Sequence, residues 1–450
     1  FGTGKRWDTF PSAAVAWRIS EESFLKNNPV ITNLKLRAGW GQTGNSGGPT
    51  NLAILQLSTT PTYLFNTPGG ASGTYTVGNG MAATNAIDSD LHWETNEQFN
   101  VGIDLGLFKG LNITMDYFVR TAKDLLIERS LRPSSGYTSV YTNYGKIRNN
   151  GFEFTVDYKK NVNRDFSFGV TLTGSTLKNK IVKMGADMTG QGETVGTDMG
   201  WENSSICREG YAVGSYYGYV VDGIFTNRSD IDALNAQAQA NGYDAYQYTG
   251  TDVGDYKYRD LNGDGHIDAS DMTILGNGFP KLNYGLNLSA QYKNFDFSIY
   301  FYGVLGSDIL SYSAMTLSTM YNSDGAINNI LKDRFANAWS EANPHGTETR
   351  LTYMDPNWNR RVSSAWVKSG DFLKINNLQI GYNVPEKILR HAKIDAARVY
   401  FSIQNLCTIS GYNKYGDPEV GSTENLLYNG LDVGRYPYPR IYTLGLNVKF

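Results

Sequence analysis

The sequence predicts an all-β fold, an antiparallel transmembrane β-barrel with long extracellular loops, and three observations carry this prediction. Apolar and polar residues alternate in paired runs that are joined by short turns. The last eleven residues, RIYTLGLNVKF at 440–450, form such a run and finish on an aromatic residue. No apolar run reaches the roughly 18 residues that a membrane-spanning helix requires.

The composition agrees with a membrane barrel. The 450 residues include 49 glycines and 31 tyrosines, charged residues make up 18%, and the mean hydropathy is −0.39. These values are typical of barrels, in which only every second strand residue is apolar. The net charge of −3 gives no reason to expect a nucleic-acid partner. The two cysteines, Cys207 and Cys407, could form one disulfide or none.

Paired runs of alternating residues predict the strongest strands, as three antiparallel hairpins with short connections. The hairpins join 99–107 to 111–119, 152–158 to 166–172, and 284–292 to 295–301. Less regular strands are expected at 12–19, 34–41, 140–150 (continuous with 152–160), 200–210, 214–225, 370–383 and 397–405. With the final strand, the sequence predicts about thirteen strands.

The long segments between the hairpins fix the orientation. They cover 42–97, 179–200, 226–281, 307–369 and 406–439. Outer-membrane barrels have short periplasmic turns and long extracellular loops. If the strand at 440–450 runs toward the periplasm, the short turns at 108–110, 161–164 and 293–294 all fall on the periplasmic side and every long segment falls outside.

Two of the long extracellular segments, 226–281 and 307–369, contain helix patterns. In the first, Ser229-Asp230 could cap a short helix that runs through Ala240. In the second, an apolar stripe predicts a short helix, formed by Ile327, Ile330, Leu331, Phe335, Ala338 and Trp339. The stripes either pack each segment into a folded lobe or form a docking surface for a partner.

The segment DLNGDGHID, at 260–268, has the spacing of a calcium-binding loop. Oxygen donors stand at positions 1, 3, 5 and 9, a glycine stands at position 6, and position 7 would offer a backbone carbonyl. The candidate metal ligands are Asp260, Asn262, Asp264, His266, Asp268 and Asp271. Asp271, at position 12, is shorter than the usual glutamate. The alternative is a turn rich in Asp, Asn and Gly that is stabilised by its own hydrogen bonds. Bound Ca²⁺ would order residues 255–275 rather than perform chemistry.

No motif points to catalysis. The four histidines lie outside any zinc-binding pattern, and neither a nucleophile elbow nor a phosphate-binding glycine loop follows a suitable strand. We therefore do not expect an enzyme. Six aromatic residues of the long segments could stack on sugar rings or pack within the loops: Trp201, Trp339, Trp358, Trp366, Tyr412 and Tyr415.

Eight stretches of the sequence, taken in chain order, carry a family resemblance: RWDTFPSAAVAWRISEESF, LKLRAGWGQTGNS, ETNEQFNVGIDLGLFKG, GYVVDGIF, GDYKYRDLNGDGHID, ILGNGFPKLNYGLNLS, DFLKINNLQIGYNVP and YPRIYTLGLNVKF. Together they resemble the C-terminal part of SusC-like TonB-dependent outer-membrane transporters, and the terminal strand ending on Phe450 resembles the assembly signal of outer-membrane barrels. The resemblance implies a 22-stranded barrel in the outer membrane, of which 1–450 would be the later part.

The same resemblance implies how the protein works. It implies an N-terminal plug, energy from a TonB complex, a SusD-like lipoprotein that covers the extracellular mouth, and glycan or peptide oligomers as cargo. The plug, the TonB-contacting segment and the first strands have no counterpart in this sequence. We expect the barrel part of a nutrient importer. The alternatives are a surface or secreted carbohydrate-binding β-protein with a calcium-stabilised loop, and a soluble β-sandwich or propeller.

Overall fold

A single antiparallel sheet organises the computed structural model, and eleven long strands that are neighbours in it, here called the wall, form its main path. A twelfth, short strand, Lys178–Lys183, pairs beside this path. The structure describes residues 4–47, 55, 57–59, 62–66, 75–83, 85–184, 193–195, 204–320, 328–390, 393–420 and 426–450. The wall strands are β1 (Ser12–Arg18), β2 (Ile31–Asn45), β3 (Glu94–Leu107), β4 (Leu111–Lys123), β5 (Lys146–Asn161), β6 (Phe166–Thr176), β7 (Leu282–Tyr292), β8 (Phe295–Leu305), β9 (Phe372–Asn383), β10 (Ala396–Ser410) and β11 (Ile441–Lys449). Each pairs with its neighbours in this order, so the wall is an up-and-down meander.

Alternation gives the wall two different faces. On β3, Phe99 and Val101 are 45% and 44% exposed, and their register partners Trp40 and Tyr117 are 39% and 42% exposed. A water-soluble sheet would bury such residues, whereas a strand in a bilayer exposes them to lipid. The apolar residues of β3 run from Phe99 to Leu107, close to the roughly 9–11 residues with which a tilted strand crosses a membrane.

The connections of the wall are short at one end and long at the other. The tight β3–β4 turn has three residues, 108–110, and places Phe108 and Lys109 at φ 49° each, in the left-handed region that tight hairpin turns use. At the same end lie the other short connections, 19–30, 162–165, 293–294 and 384–395, and at the opposite end lie 46–93, 124–145, 177–281, 306–371 and 411–440. The expected separation of the short turns at 108–110, 161–164 and 293–294 from the long segments is confirmed.

The expected number of about thirteen wall strands is wrong for the described residues, because two predicted strands lie elsewhere. The segments 200–210 and 214–225 contain only short strands outside the wall, Ser205–Cys207, Ser215–Tyr219 and Val221–Ile224. The cause is their length, since three to five residues cannot span a bilayer. Because these two strands form a pair in the predicted order, every other strand keeps its predicted direction when they are taken out of it. The prediction that 140–150 continues into 152–160 is confirmed in part, because β5 runs unbroken from Lys146.

The long connections fold into a lobe at their end of the wall. Its largest apolar cluster joins three of them, with Tyr216 and Ile231 from one, Leu310 and Trp366 from the next and Leu431 from the last. Its short strands are Glu193–Val195, Ser205–Cys207, Ser215–Tyr219, Val221–Ile224, Tyr256–Tyr258, Met272–Gly276, Asp308–Ser311, Val367–Ser369 and Leu431–Asp432. Short strands also occur at Leu57–Ser58, Thr62–Asn66, Tyr75–Asn79, Ala82–Ala83, Asn85–Ala86, Leu126–Ser130, Ser139–Asn143 and Lys178–Lys183.

The described helices are short: α1 (Arg228–Ala240), α2 (Tyr312–Ser318), α3 (Lys332–Ala336) and α4 (Glu386–Leu389). None of them is long and apolar enough to cross a membrane. The predicted helix through Ala240 is confirmed, but its cap is Asn227, whose side chain accepts the backbone N–H of Asp230 at 2.9 Å.

The predicted helix over the second stripe is mostly wrong within the described residues. Ile327 lies outside them, and α3 covers only Lys332–Ala336. Phe335 is 70% exposed while Ala338 is buried, so they do not share a packed helical face. The chain instead forms isolated bridges beyond α3, one of which joins Ala338 to Glu348.

Candidate functional site

The polar face of the wall holds ion pairs that reach across a strand. Arg37 on β2 donates to both carboxylate oxygens of Asp104 on β3 at 3.0 Å, and to Asp116 on β4 at 2.9 Å. Between Arg37 and Asp116 stands Gly102 of β3, where an added Cβ would lie 2.2 Å from a carboxylate oxygen of Asp116. The glycine therefore makes room for one guanidinium to join three strands.

The same arrangement recurs further along the wall. Arg398 on β10 donates to Asp296 on β8 through Nε at 2.9 Å and Nη2 at 2.5 Å. Gly381 lies between them on β9, and a Cβ there would meet atoms of both partners at 2.4 Å. Both pairs are nearer to the short-turn end than to the lobe. Paired charges with about a quarter of each side chain exposed are suited to a wall that faces water or another polar surface.

A shallow groove on this polar face offers hydrogen-bonding groups of several kinds. It is lined by Glu153, Thr173, Asn283, Tyr300 and Tyr302. Carboxylate, hydroxyl, amide and phenol groups can hydrogen-bond to a polar solute, and the aromatic rings can pack against its apolar faces. This set of groups is suited to contact with a passing polar molecule.

A buried polar network connects distant segments of the lobe. The fully buried carboxylate of Asp255 accepts two hydrogen bonds from Arg350, both at 2.9 Å, and one from Asn359 at 3.0 Å. Asn357, also fully buried, accepts hydrogen bonds from Gln247 at 2.5 Å and from Thr251. Burial lowers the pKa of Arg350, but the bonds to Asp255 outweigh this effect and raise it. The network holds 247–259 against 350–361.

Arg361, at the centre of an aromatic cluster, connects the same two segments with each other and with Tyr219. The Arg361 guanidinium lies 5.0, 4.7 and 4.1 Å from the ring centroids of Tyr219, Tyr248 and Tyr258. Burial raises the pKa of Tyr258, and burial raises the pKa of Tyr246 to about 12. These phenols therefore stay neutral and act as hydrogen-bond donors within the lobe.

The predicted calcium loop is a compact turn held by its own side chains. Asp260 accepts the backbone N–H groups of Gly263 at 2.6 Å and Gly265 at 2.8 Å. Asn262 accepts the N–H of Asp264, whose carboxylate accepts the N–H of His266 at 2.8 Å. That last bond lowers the pKa of the Asp264 carboxyl. These bonds explain the conformation of the loop through its residues alone.

The last two candidate ligands form the N-terminal cap of a short 3-10 helix, Ala269–Asp271. Asp271 is fully buried and accepts the N–H of Leu261 at 2.7 Å and that of Asp268 at 2.9 Å, while Asp268 accepts the N–H of Ser270. Asp268 and Asp271 together make a capping box. The Asp271 carboxylate, at position 12, is therefore already bonded to backbone N–H groups and is poorly placed to bind a metal. Among the described residues no group of three or more His, Cys, Asp or Glu side chains is placed to hold a metal ion.

The loop also contacts the end of α1 and the residues that follow it. The His266 ring stacks on Tyr243 with centroids 4.5 Å apart, and its Nδ1 lies 2.7 Å from the carbonyl oxygen of Ala245. Asn241, the C-cap of α1, donates to the backbone carbonyl of Asp264 at 2.8 Å. The His266 side chain therefore joins the loop to the residues that follow α1, and the Asp264 carbonyl joins it to the C-cap of that helix.

The aromatic residues proposed as sugar platforms are mostly packed in the lobe. Trp366 and Tyr412 are buried, with 4% and 1% exposure, and Tyr412 bonds to Ser311 and Asp432. Trp339 and Tyr415 are half-buried, and Trp201 lies outside the described residues. Trp358 alone among the described five is exposed, at 52%. Cys207 and Cys407 are both free thiols.

Sequence reasoning missed the buried network and the two cross-strand ion pairs. Asp255 and Arg350 are 95 residues apart, and no local pattern joins them. Gly102 and Gly381 did carry a signal. Each stands inside a strand on its polar face, and an interior strand glycine marks a close approach of neighbouring groups.

Comparisons with known proteins agree on one family. The family model described as TonB dependent receptor-like, beta-barrel, matches residues 1–406. TonB-dependent receptor P3 of Formosa agariphila is 32% identical over 463 residues, which cover 100% of this chain and 42% of the relative. TonB-dependent receptor SusC of Bacteroides thetaiotaomicron is 29% identical over 462 residues, covering 100% and 41%. The chain thus spans about two-fifths of these relatives.

Solved structures support the same fold. The RagAB peptide importer in its open-open state aligns over 100% of this chain and 44% of its own, with a TM-score of 0.77 and 20% identity. The structure of the RagAB peptide transporter aligns over 98% and 43%, with a TM-score of 0.73 and 21% identity. At these identities the likeness concerns the fold.

Proposed function

This chain belongs to the TonB-dependent receptor-like β-barrel family, and we propose that it forms part of the barrel of an outer-membrane importer of nutrient oligomers. It would supply a stretch of the barrel wall and an extracellular lobe. The proposed mechanism is gated passage through the lumen, driven from the inner membrane, without covalent chemistry.

The two faces of the wall are the observation that carries the proposal. One face exposes apolar residues such as Phe99 and Val101 over the length of a membrane crossing. The other holds Arg37 and Arg398 in ion pairs beside a groove of polar groups. A sheet with lipid-compatible and water-compatible faces suits a channel wall. It does not favour the alternative of a surface or secreted carbohydrate-binding protein.

The proposed cargo is a glycan oligomer, with peptide oligomers as the second candidate. The groove lining supports both, because hydroxyl, amide and phenol groups can bind sugar hydroxyls or peptide amides. The relationship to SusC supports a SusC-like importer, and the likeness to a peptide importer keeps peptides as candidates.

The proposed partners are a SusD-like lipoprotein over the extracellular mouth and a TonB complex on the periplasmic side. The contacts within the lobe support the first of these, because the network around Asp255 and Arg361 joins segments that are distant in the chain. A pre-formed surface loses less conformational entropy on binding. Contact with TonB would belong to a part of the protein outside this chain.

Deleting the gene and measuring growth on single oligomers tests this proposal. We expect the deletion strain to lose growth on one glycan class and to recover it with the full-length gene. Affinity purification of the full-length protein should also recover a SusD-like lipoprotein. Unchanged growth on every glycan and peptide source, together with recovery from the soluble fraction, would contradict the proposal.

We also propose Ca²⁺ binding by the turn at 260–268 as a structural feature of the lobe. Its support is the spacing of Asp260, Asn262, Asp264 and Asp268, whose side chains present oxygen donors. Bound calcium would reinforce a turn that already holds itself by hydrogen bonds. The proposal gives calcium no part in transport.

A further inference from the structure

A group of basic side chains, here called the basic rim, lies at the extracellular end of β5. It consists of Lys146 and Arg148 on β5 and Lys178, Lys180 and Lys183 on the short strand Lys178–Lys183 that pairs with it. Arg148 lies directly opposite Lys180 in the register, and Lys146 lies opposite Lys183. Two paired strands therefore place five positive charges side by side.

The register decides which way these charges point. Alternate residues of a strand share a face, so Arg148 lies on the same face as Phe152, which is 38% exposed. The intervening pair, Ile147 and Ile181, lies on the opposite face. Ile181 is 2% exposed and packs beneath the lobe with Cys207. Arg148, Lys178 and Lys180 therefore point outward, on the lipid-facing side, and the register shifts beyond them, between Ile147 and Lys146.

The distance from the apolar surface places the rim at the height of lipid headgroups. Phe152 and Tyr117 are register partners within the exposed apolar face. Arg148 lies four residues beyond Phe152, which is roughly 13 Å along a strand and about 10 Å in height at a tilt near 40°. Headgroup layers occupy the several ångströms outside the hydrocarbon core.

The charges of the rim are not neutralised by the described part of the protein. Arg148, Lys178 and Lys180 are exposed and make no ion pair with any described residue. The neighbouring carboxylate, Glu97, is already bound to Lys123 at 2.7 Å. Lys183 lies 4.7 Å from the centroid of the Tyr144 ring. An outward basic patch with unused charge attracts anionic groups.

We propose that the basic rim binds the phosphate groups of glycolipid headgroups in the outer leaflet and anchors the barrel to them. The rim continues the lipid-facing surface of the wall, so the molecules that touch Phe152 through their acyl chains bring their headgroups to Arg148 and Lys180. Basic side chains beside an anionic membrane surface each strengthen binding by about fivefold. This inference goes beyond nutrient import and holds whatever the cargo is.

The test uses the full-length protein in detergent, titrated with bis-phosphorylated lipid A and analysed by native mass spectrometry. The test variant is Arg148→Gln/Lys178→Gln/Lys180→Gln. The matched control, Lys109→Gln/Lys160→Gln/Arg164→Gln, removes three exposed charges at the periplasmic turns. A third variant, Arg148→Lys/Lys178→Arg/Lys180→Arg, keeps the charge and controls for folding.

We expect the test variant to lose lipid A affinity on the order of 100-fold, and the control and charge-keeping variants to bind as the native protein does. Dephosphorylated lipid A should bind to the native protein as weakly as phosphorylated lipid A binds to the test variant. The proposal would be overturned if the test variant bound lipid A as tightly as the native protein does. It would equally be overturned if the native protein bound dephosphorylated and phosphorylated lipid A with the same affinity. It would also be overturned if millimolar inorganic phosphate alone stabilised the native protein as lipid A does. Binding of an acidic peptide to the native protein, lost in the test variant while lipid A binding is kept, would overturn it as well.

Discussion

Removing the Asp255 carboxylate should loosen the lobe while leaving the wall intact. Asp255 is fully buried and Arg350 is 22% exposed, and the two form a bidentate pair at 2.9 Å. Asp255→Ala would leave the guanidinium without its main partner. Breaking a buried pair in this way costs about 3–5 kcal/mol. Because Arg350 keeps a weaker contact with Asp252 at 3.6 Å, we expect the lower end, about 3 kcal/mol.

Hydrogen exchange of the full-length protein can measure this loss. The backbone N–H of Tyr256 donates to Asn359 at 2.9 Å, and Asn359 in turn donates to Asp255. A loss of about 3 kcal/mol should accelerate exchange of this amide on the order of 100-fold. Amides of β3, in the wall, should keep their native rates.

Two comparisons make the result specific to the buried pair. Asp222→Ala breaks an exposed pair with Arg259 and should cost less than about 1 kcal/mol. Asp255→Leu combined with Arg350→Met removes both charges and should recover most of the lost stability, because no unpaired charge stays buried. An acceleration below fivefold in Asp255→Ala, or a double variant no more stable than the single one, would refute this reasoning.

Four further predictions concern other parts of the chain. Gly102→Val should displace the ion pair of Arg37 with Asp116 and lower the stability of the barrel by about 1–3 kcal/mol in thermal unfolding. Gly411→Val, which has open space around it, should leave stability unchanged, and equal losses in the two variants would contradict the prediction. Arg361→Lys should lose the planar stacking on three tyrosine rings and increase proteolysis of the lobe, which unchanged cleavage would disprove. If the calcium proposal holds, chelation should raise proteolysis at 255–275 and calorimetry should detect Ca²⁺ binding; no heat and unchanged cleavage would reject it. Deleting Phe450 from the full-length protein should reduce its level in the outer membrane, and a normal level would argue against its role in assembly.

The wall was predictable because its signal is local. Alternation along 99–107 and 111–119 identifies β3 and β4 without knowledge of any distant contact, and the short turn between them fixes their pairing. The same reasoning located the terminal strand and the ends at which the connections lie. It failed at 200–210 and 214–225, where a few alternating residues belong to the lobe.

The lobe was less predictable because long-range contacts determine its structure. The stripe around Phe335 has a helical period, yet the chain leaves the helix after Ala336 and pairs Ala338 with Glu348. The candidate loop at 260–268 was recognised by its spacing, but the use of Asp271 as a helical cap depends on its burial. Propensity is a weak guide where tertiary packing decides the conformation.

Cysteine scanning across β3 tests the central claim, that one face of the wall meets lipid and the other meets water. In full-length protein with every native cysteine replaced by serine, Cys207 and Cys407 included, single variants Phe99→Cys, Val101→Cys, Gln98→Cys and Asn100→Cys would be labelled in intact outer membranes. We expect fluorophores at 99 and 101 to be quenched by brominated lipid, and positions 98 and 100 to react with a water-soluble maleimide. Labelling without this period of two, or full water access at 99 and 101, would contradict the claim.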